Sequence, residues 1–481
     1  MDKYRVLINN EKVILRIVFE KNGKIDNFFV YKPDFGPQIG NIYKGKIERV
    51  LPGLNSAFIN IGEMKSGFLQ FDTKDFYVLY DEFEELPFES RILSPENEIL
   101  VQICKPGERE KSPKVSENIV LPGRYFVFLP NLKIQKISRK IEDRKERNRL
   151  FKIFRNAIGG KYGFIIRTAS KWKSEDIIYK EIRQILNIWK KIKRDYKKHK
   201  APYLLWKELP VYLRIIRDYV DENCVRVEVD DEFIFSQVEK YINFLIPELK
   251  GKIFLYKNKV PIFIYYDLEN EIENFISKKV FLPSGGHLII EKGETLTSID
   301  VNTGRAEDEN VEETVLRTNL EAADEIPRQI RCRNISGIII IDFINMKKED
   351  KKQVFKKFIT NLSFDKAKFN ILFTSNLGIL GLTREKNDYS IYDLLLEDCE
   401  LCNGIGLRKN IESVFLEIKK RIFEILNLKS YNYKLEIELS RDLYEFIFKN
   451  QLFKNLVFSD RIELKVNLNF KKGEFKIEEK L

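Results

Sequence analysis

The sequence predicts a multidomain α/β chain, and three observations carry that reading. A length of 481 residues with 43% hydrophobic content is enough for about three domains with real cores, at roughly 100 to 200 residues each. Short strands punctuated by glycine occupy the first quarter. Between Ser284 and Arg384 lies a strand-helix-strand unit whose two strands each end in an aspartate. Charge adds a direction: 84 Lys and Arg against 73 Asp and Glu leave a net +11, which favours a polyanionic partner. Hydrophobic content at this level excludes disorder as the main state.

Scarce residues narrow the chemistry. With only two histidines, His199 and His287, and five cysteines, a mechanism built on paired histidines or a His-rich metal cage is not expected. Cys104, Cys224 and Cys332 are scattered, and Met1-Asp2-Lys3-Tyr4-Arg5 carries no apolar run behind a basic flank. Neither secretion nor a disulfide framework is therefore expected, and the compartment reads as reducing. No stretch reaches the ~18 to 20 uninterrupted apolar residues of a membrane span. Abundant Lys, Ile, Asn and Phe point to an AT-rich, compact bacterial or organelle genome.

Taken in order, the first thirty-odd residues read as hairpins, with a strand over Val13 to Phe19, turns at Asn9-Asn10 and Asn22-Gly23, and a further strand through Phe28 to Tyr31. This piece is too small to fold alone and must pair with something later. From Gly36 to about Ile119, glycines at 40, 45, 53, 62 and 67 separate short strands, as in a small, strongly curved barrel of the OB type. Such barrels bind single strands with aromatics on an open face and cations around them. Phe58, Phe68, Lys44, Lys46, Lys65 and Lys111 supply that mixture, although two strand phenylalanines can equally be core. Residues 120 to 212 are mixed and very basic. Ile178, Ile182, Ile185, Trp189, Ile192 and Tyr196 form a helical stripe that Ser174 could cap and Pro202 would stop. Lys190-Lys191-Ile192-Lys193-Arg194 and Lys197-Lys198 read as a solvated face, with phosphate contacts as the second reading.

The Ser284 to Arg384 segment is the informative one. Thr295 to Val301 has strand character and contains Asp300, Val311 to Arg331 is a long helical pattern, and Gly337 to Asp342 is an apolar strand ending in an acid. A crossover helix makes the two strands parallel, which sets Asp300 beside Asp342 at the carboxyl edge where open α/β sheets place ligands. Paired carboxylates repel unless a cation or proton lies between them. Magnesium suits the pair, because it takes oxygen ligands, is held by one or two carboxylates plus water and phosphate, and needs neither His nor Cys. Asn302, two residues beyond Asp300, falls on the same face, where its amide could orient that carboxylate. The alternative is that strand-end acids cap loops or pair with arginines such as Arg305.

Cys399-Glu400-Leu401-Cys402-Asn403-Gly404-Ile405-Gly406 is a zinc-knuckle-like CxxCxGxG with no second CxxC in the chain. Two copies of the chain could complete one tetrahedral site together, predicting a homodimer with one shared zinc. A buried or redox-active cysteine pair is the other reading.

At these residues the chain resembles the ribonuclease E/G family, specifically its catalytic region, along nearly its full length. The most specific matches are Ser298-Ile299-Asp300-Val301-Asn302, Asn319-Leu320-Glu321-Ala322-Ala323-Asp324-Glu325-Ile326 and Ile341-Asp342-Phe343-Ile344-Asn345-Met346. The resemblance implies a magnesium-dependent endoribonuclease that cuts single-stranded RNA in rRNA and mRNA processing and decay, leaving a 5′ phosphate and a 3′ hydroxyl. It places the metal ligands on Asp300 and Asp342 and the supporting amide on Asn302. It implies an RNase H-like fold (1–35 and 213–275) interrupted by an S1-motif OB barrel (36–118) and a 5′-end sensor (119–212). A DNase I-like catalytic domain (276–397), a zinc link (398–408) and a small α/β domain (409–481) follow. RNA binding falls on Phe58, Phe68 and Lys111. In Gly163-Phe164-Ile165-Ile166-Arg167-Thr168-Ala169, Arg167 and Thr168 look like the family's 5′-monophosphate site, since a guanidinium fork plus a hydroxyl suits a terminal phosphate.

The sequence departs from the family pattern in places. Asn345 stands where a second acid is usual, without removing a metal ligand. Gly381-Leu382-Thr383-Arg384 replaces Glu-Met-Thr-Arg, and Asn376 replaces a basic residue, so weaker 5′-end sensing is expected. Glu400 replaces the Pro between the cysteines. The chain ends soon after the small domain, which resembles the short ribonuclease G type or plastid members rather than members with a long scaffold tail. The implied partners are single-stranded RNA and a second copy of the chain through Cys399 and Cys402, with a tetramer left open. Bacterial cytoplasm and plastid stroma both fit. A catalytically silent RNA-binding protein or chaperone using the same barrel is the competing function.

Overall fold

The computed structural model describes residues 3–33, 36–70, 95–107, 111–304, 311–374, 378–397, 399, 402, 406, 409–428, 434–453 and 461–480. Arg305, Asn376 and Glu400 lie outside the described residues. The chain divides into two units, Met1–Leu396 and Glu397–Leu481.

The N-terminal hairpins do not stand alone. Tyr4–Asn10, Leu15–Lys21 and Lys24–Tyr31 form an antiparallel set, and Tyr4–Asn10 pairs in parallel with Cys224–Val229, which in turn pairs with Ile253–Leu255. Asn22-Gly23 is the predicted turn, both residues at positive φ. Asn9-Asn10 is instead the end of the first strand, and the chain reverses over Glu11 to Val13, with Lys12 at φ 64. Asn9 reaches Asp230 at 2.7 Å. One sheet face buries Val6, Ile8 and Ile17 with residues of the helices Val211–Tyr219 and Glu232–Leu245. The other buries Leu7, Val18 and Phe28 with Phe263 and Phe275.

Between these halves sit two inserted pieces. Ile42–Leu51, Ser56–Asn60, Gly67–Gln70, Lys114–Ser116 and Glu98–Lys105 pair in that order, and the last closes onto the first, giving the expected small barrel, here of five strands, around Tyr43, Ile47, Ile59 and Val101. The second piece has a four-stranded sheet packed with the helices Arg144–Ile158 and Glu175–Lys198. The predicted stripe is its core: Ile178, Ile182, Ile185, Trp189 and Ile192 are buried. Ser174 occupies the N-cap position but its side chain makes no cap bond, and the helix stops at Lys198, before Pro202.

The sheet that carries the paired aspartates has six strands in the order Lys279–Phe281, His287–Lys292, Leu296–Asn302, Gly337–Asp342, Ile379–Arg384, Phe369–Thr374. Leu296–Asn302 and Gly337–Asp342 are parallel, joined across the helix Val311–Cys332. Strand alternation turns Leu288, Ile290, Ile299, Val301, Ile339 and Ile341 into a core with that helix, where Ala322 and Ala323 are fully buried and their small side chains permit a close approach to the sheet. The second unit packs Ile411–Leu428 and Arg441–Lys449 with a three-stranded sheet around Ile418, Leu435, Ile437 and Leu443. Among the described residues no helix is long and apolar enough to cross a membrane.

Candidate active site

Asp300 and Asp342 are direct partners in the parallel ladder. Adjacent strands lie about 4.8 Å apart, and laterally paired residues share a face. Both side chains are exposed on the face opposite the helix-packed core. Asn302 donates its amide to Asp300 Oδ2 at 2.7 Å, the orienting contact expected of it. Among the described residues neither carboxylate is ion-paired to a Lys or Arg.

Why the two strand ends stay in place is answered by the helix behind them. Asn319, wholly buried, donates to the Ile344 carbonyl at 2.9 Å and accepts from the Ile344 N–H at 3.1 Å, pinning the loop that leaves Asp342. Two residues on, Glu321 accepts from the Ser284 N–H at 2.9 Å, and Thr318 contacts the Ser284 hydroxyl. The Ser284–Gly286 turn is thereby held against the end of the Asp300 strand. A side chain at Gly304 would collide with the Gly285 carbonyl oxygen. Opposite Asp342, Gly378 takes φ +101, and a Cβ there would lie 2.8 Å from the Phe343 carbonyl oxygen. At the far end of the sheet, Arg384 and Asp365 form a buried pair at 2.6 Å, and Arg384 also donates to the Asn334 side chain and the Ile335 carbonyl. The Arg of Gly381-Leu382-Thr383-Arg384 thus anchors the strand ladder and does not face the aspartates.

The donor set can be tested against a divalent ion. Among the described residues no group of three or more His, Cys, Asp or Glu side chains gathers as a metal cage. What is present is two adjacent, accessible carboxylates, one steadied by an amide. That fits magnesium, which keeps several water or phosphate ligands, and does not fit zinc. Asn345 is exposed just beyond the strand end.

On the barrel, Phe58 and Phe68 face each other across neighbouring strands with ring centroids 5.6 Å apart. They are half-buried and lie outside the barrel core, whose side of the same strands is filled by Ala57, Ile59 and Leu69. Arg49 pairs laterally with Phe58, and Lys114 with Phe68, so a cation-aromatic-aromatic-cation row crosses one face. Lys111 is exposed at the barrel's end. Lys44 is a correction to the expected cation set. It is buried, ion-paired to Glu98 at 2.6 Å and donates to the carbonyls of Tyr196 and His199, so it joins barrel to helix instead of meeting solvent. Lys46 is paired with Glu96.

Arg167 and Thr168 lie at the end of Gly163–Ile166. Arg167 donates to Asp218 at 2.5 Å, and the exposed Thr168 hydroxyl is 2.8 Å from that of Ser138. Burial works against a charged Asp218, but the guanidinium groups of Arg217 and Arg167 outweigh it and hold the carboxyl down at about 2. In the second unit, the Cys402 N–H meets the Cys399 carbonyl at 3.2 Å and the Gly406 N–H points to Cys402 Sγ at 3.2 Å, a turn that directs a backbone donor onto one sulfur. Among the described residues neither cysteine is joined in a disulfide.

This arrangement of aspartates, bracing helix and turn falls within a match to the model of the ribonuclease E/G family over residues 120–387. The chain belongs to that family. Ribonuclease G of Haemophilus influenzae is 33% identical over 437 residues, 89% of each chain. Ribonuclease G of Escherichia coli is 34% identical over 427 residues, 87% of each chain. Ribonuclease E of Haemophilus influenzae is 32% identical over 427 residues, covering 87% of this chain but 46% of the longer relative.

For this ribonuclease E/G member, several site residues escape sequence reading. Asn319 and Glu321 stand out in the motif, but their bracing role depends on which loops the helix meets. Asp218 lies 51 residues from Arg167. Lys279, Phe281 and His287 share the carboxylate face; the one available signal is the two-residue spacing of Lys279 and Phe281 on a strand. Burial, then the Lys279 ammonium, lowers the His287 pKa, with Asp300 opposing them.

Proposed function

We propose that the chain is a magnesium-dependent endoribonuclease that cuts single-stranded RNA in the maturation and decay of ribosomal and messenger transcripts, leaving 5′-phosphate and 3′-hydroxyl ends. The ribonuclease G relatives, alike over nearly nine tenths of both chains, support an endoribonuclease of RNA processing. The observation that carries the finer reading is the lateral pairing of Asp300 with Asp342 on an exposed sheet face.

Asp300 and Asp342 are the residues that would hold Mg2+, which when bound screens the scissile phosphate and acidifies a water. Asn302 fixes one oxygen of Asp300, leaving the other for a ligand. Phe58 and Phe68 supply a stacking platform for bases, flanked by Arg49, Lys114 and Lys111 for phosphates. Arg167 and Thr168 offer a fork and a hydroxyl to a 5′ monophosphate, with Asp218 holding the fork in place meanwhile. Attack of water oxygen at phosphorus breaks the bond to the 3′ oxygen and leaves the phosphate on the downstream fragment.

The same reading assigns an RNase H-like fold to 1–35 and 213–275, the S1 barrel to 36–118, the sensor to 119–212, a DNase I-like catalytic domain to 276–397, and a small domain to 409–481. Cys399 and Cys402 in the link would share a structural zinc with their counterparts in a second copy. Bacterial cytoplasm or plastid stroma is the proposed location. The test is a gel assay with labelled single-stranded RNA bearing a 5′ monophosphate or triphosphate, with and without magnesium. Magnesium-dependent cuts, faster on the monophosphate, are expected. RNA binding without cleavage would instead establish a silent binding protein.

A further inference from the structure

The sheet face that holds the two aspartates continues sideways. Lys279 pairs with Ile289, Ile289 with Asp300 and Asp300 with Asp342 in one lateral row; Phe281 pairs with His287 and His287 with Asn302 in the next. Lateral partners and residues two apart on a strand share a face, so Lys279, Phe281 and His287 stand on the carboxylate side. The intervening residues Val280, Leu288 and Ile290 are buried in the core on the other side. Phe281 is 71% exposed, its ring 6.3 Å from the His287 ring and 4.9 Å from the Lys279 ammonium. Packing explains none of this: the ring belongs to no core cluster.

We infer that Phe281, Lys279 and His287 form a nucleotide subsite beside the cleavage centre, in which the Phe281 ring stacks on a base adjacent to the scissile phosphate. This rests on Asp300 and Asp342 being that centre. Two strand spacings, about 10 Å, separate the Lys279 strand from Asp300, which is the reach of one to two nucleotides along an extended strand. A phenylalanine face accepts any base, because every base has a π-face. Lys279 adds a cation for the neighbouring phosphate, and the His287 imidazole adds a polar edge between ring and Asn302. The subsite differs from the barrel's Phe58 and Phe68 platform, which lies on another sheet. It acts at the point of cutting and so governs where the RNA is cut.

The test uses the full-length protein and a single-stranded, 5′-monophosphorylated RNA with one cut site, together with copies carrying an abasic ribose at each of the two nucleotides on either side of the cut. In the unaltered protein, one abasic position should lower kcat/KM by about tenfold or more, the scale of one lost stacked base. Phe281→Ala should lose the same factor on intact RNA and nothing further on that abasic copy, while Phe281→Trp should keep most of the rate. Indifference to all four abasic positions, an unaltered rate in Phe281→Ala, or losses that multiply would each overturn the subsite. Asp300→Asn is run alongside. Cleavage persisting there removes the centre itself, whereas loss there with no effect of Phe281→Ala overturns the subsite alone.

Discussion

Asn319 and Ile344 are bonded to each other twice, amide to carbonyl and N–H to amide oxygen, with the Asn319 side chain fully buried where the long helix meets the loop that leaves Asp342. Removing the amide takes the partner from two backbone groups in a part-buried contact. Asn319→Ala should therefore cost about 2–3 kcal/mol in urea unfolding, and cleavage should fall further than stability does, because the loop that positions Asp342 loses its tether. Asn319→Asp, which keeps an acceptor but no donor, should also be impaired. Normal cleavage by Asn319→Ala would show that the tether is not what holds Asp342.

The two aspartates make the opposite kind of prediction. Neighbouring carboxylates without a cation repel, so Asp342→Asn in chelator should be at least as stable as the unaltered protein. Millimolar magnesium should raise the melting temperature of the unaltered protein by ligand linkage and leave that of the variant flat, with cleavage abolished and RNA binding retained. Thermal unfolding with and without magnesium checks this. Equal magnesium shifts in both proteins would place the ion elsewhere.

How far the sequence was legible depended on the range of the contact. The Gly337–Asp342 strand, the helix after Val311 and the buried isoleucine stripe before His199 could be read directly, because each is a local periodicity. The pairing of Asp300 with Asp342 followed from one topological rule about crossover connections. Lys44 could not be read: in sequence it is one more barrel lysine, and only the return of the Glu175–Lys198 helix beside it supplies the carbonyls of Tyr196 and His199 that take it out of solvent. Phe58 and Phe68 were ambiguous for a related reason, since the face a strand residue occupies is set by register with partners elsewhere in the chain.

For that aromatic pair, Phe58→Ala and Phe68→Ala should each weaken single-stranded RNA binding by about 1–3 kcal/mol in fluorescence anisotropy. The double variant should lose less than the sum, because the rings touch and each positions the other. Strict additivity would mean that the two rings meet separate bases.

Asp218 gives a pH dependence. Its folded pKa of about 2 lies below the ordinary carboxylate value of about 3.9. The unfolded chain therefore binds the proton first as pH falls. The stabilisation is complete above about pH 4 and drains away towards pH 2, and it amounts to about 2 kcal/mol at neutral pH. Asp218→Asn should lower stability at pH 7 by that order and flatten the decline measured by urea unfolding between pH 5 and pH 3. An equally steep acid decline in the variant would assign that decline to other carboxylates.

Cys399 and Cys402 sit three residues apart in a turn whose Gly406 N–H already faces one sulfur. Two thiolates make half of a tetrahedral zinc site, so a zinc that binds this link tightly must recruit two further ligands, which a second copy of the same turn would supply. Sedimentation of the unaltered protein should show dimers that a strong chelator dissociates, with about one zinc per two chains by metal analysis. Cys399→Ser should sediment as monomer and lose the zinc while its far-ultraviolet circular dichroism stays unchanged, because neither cysteine is part of a buried core cluster. A dimer that persists in Cys399→Ser, or one zinc per chain, would rule out the shared site.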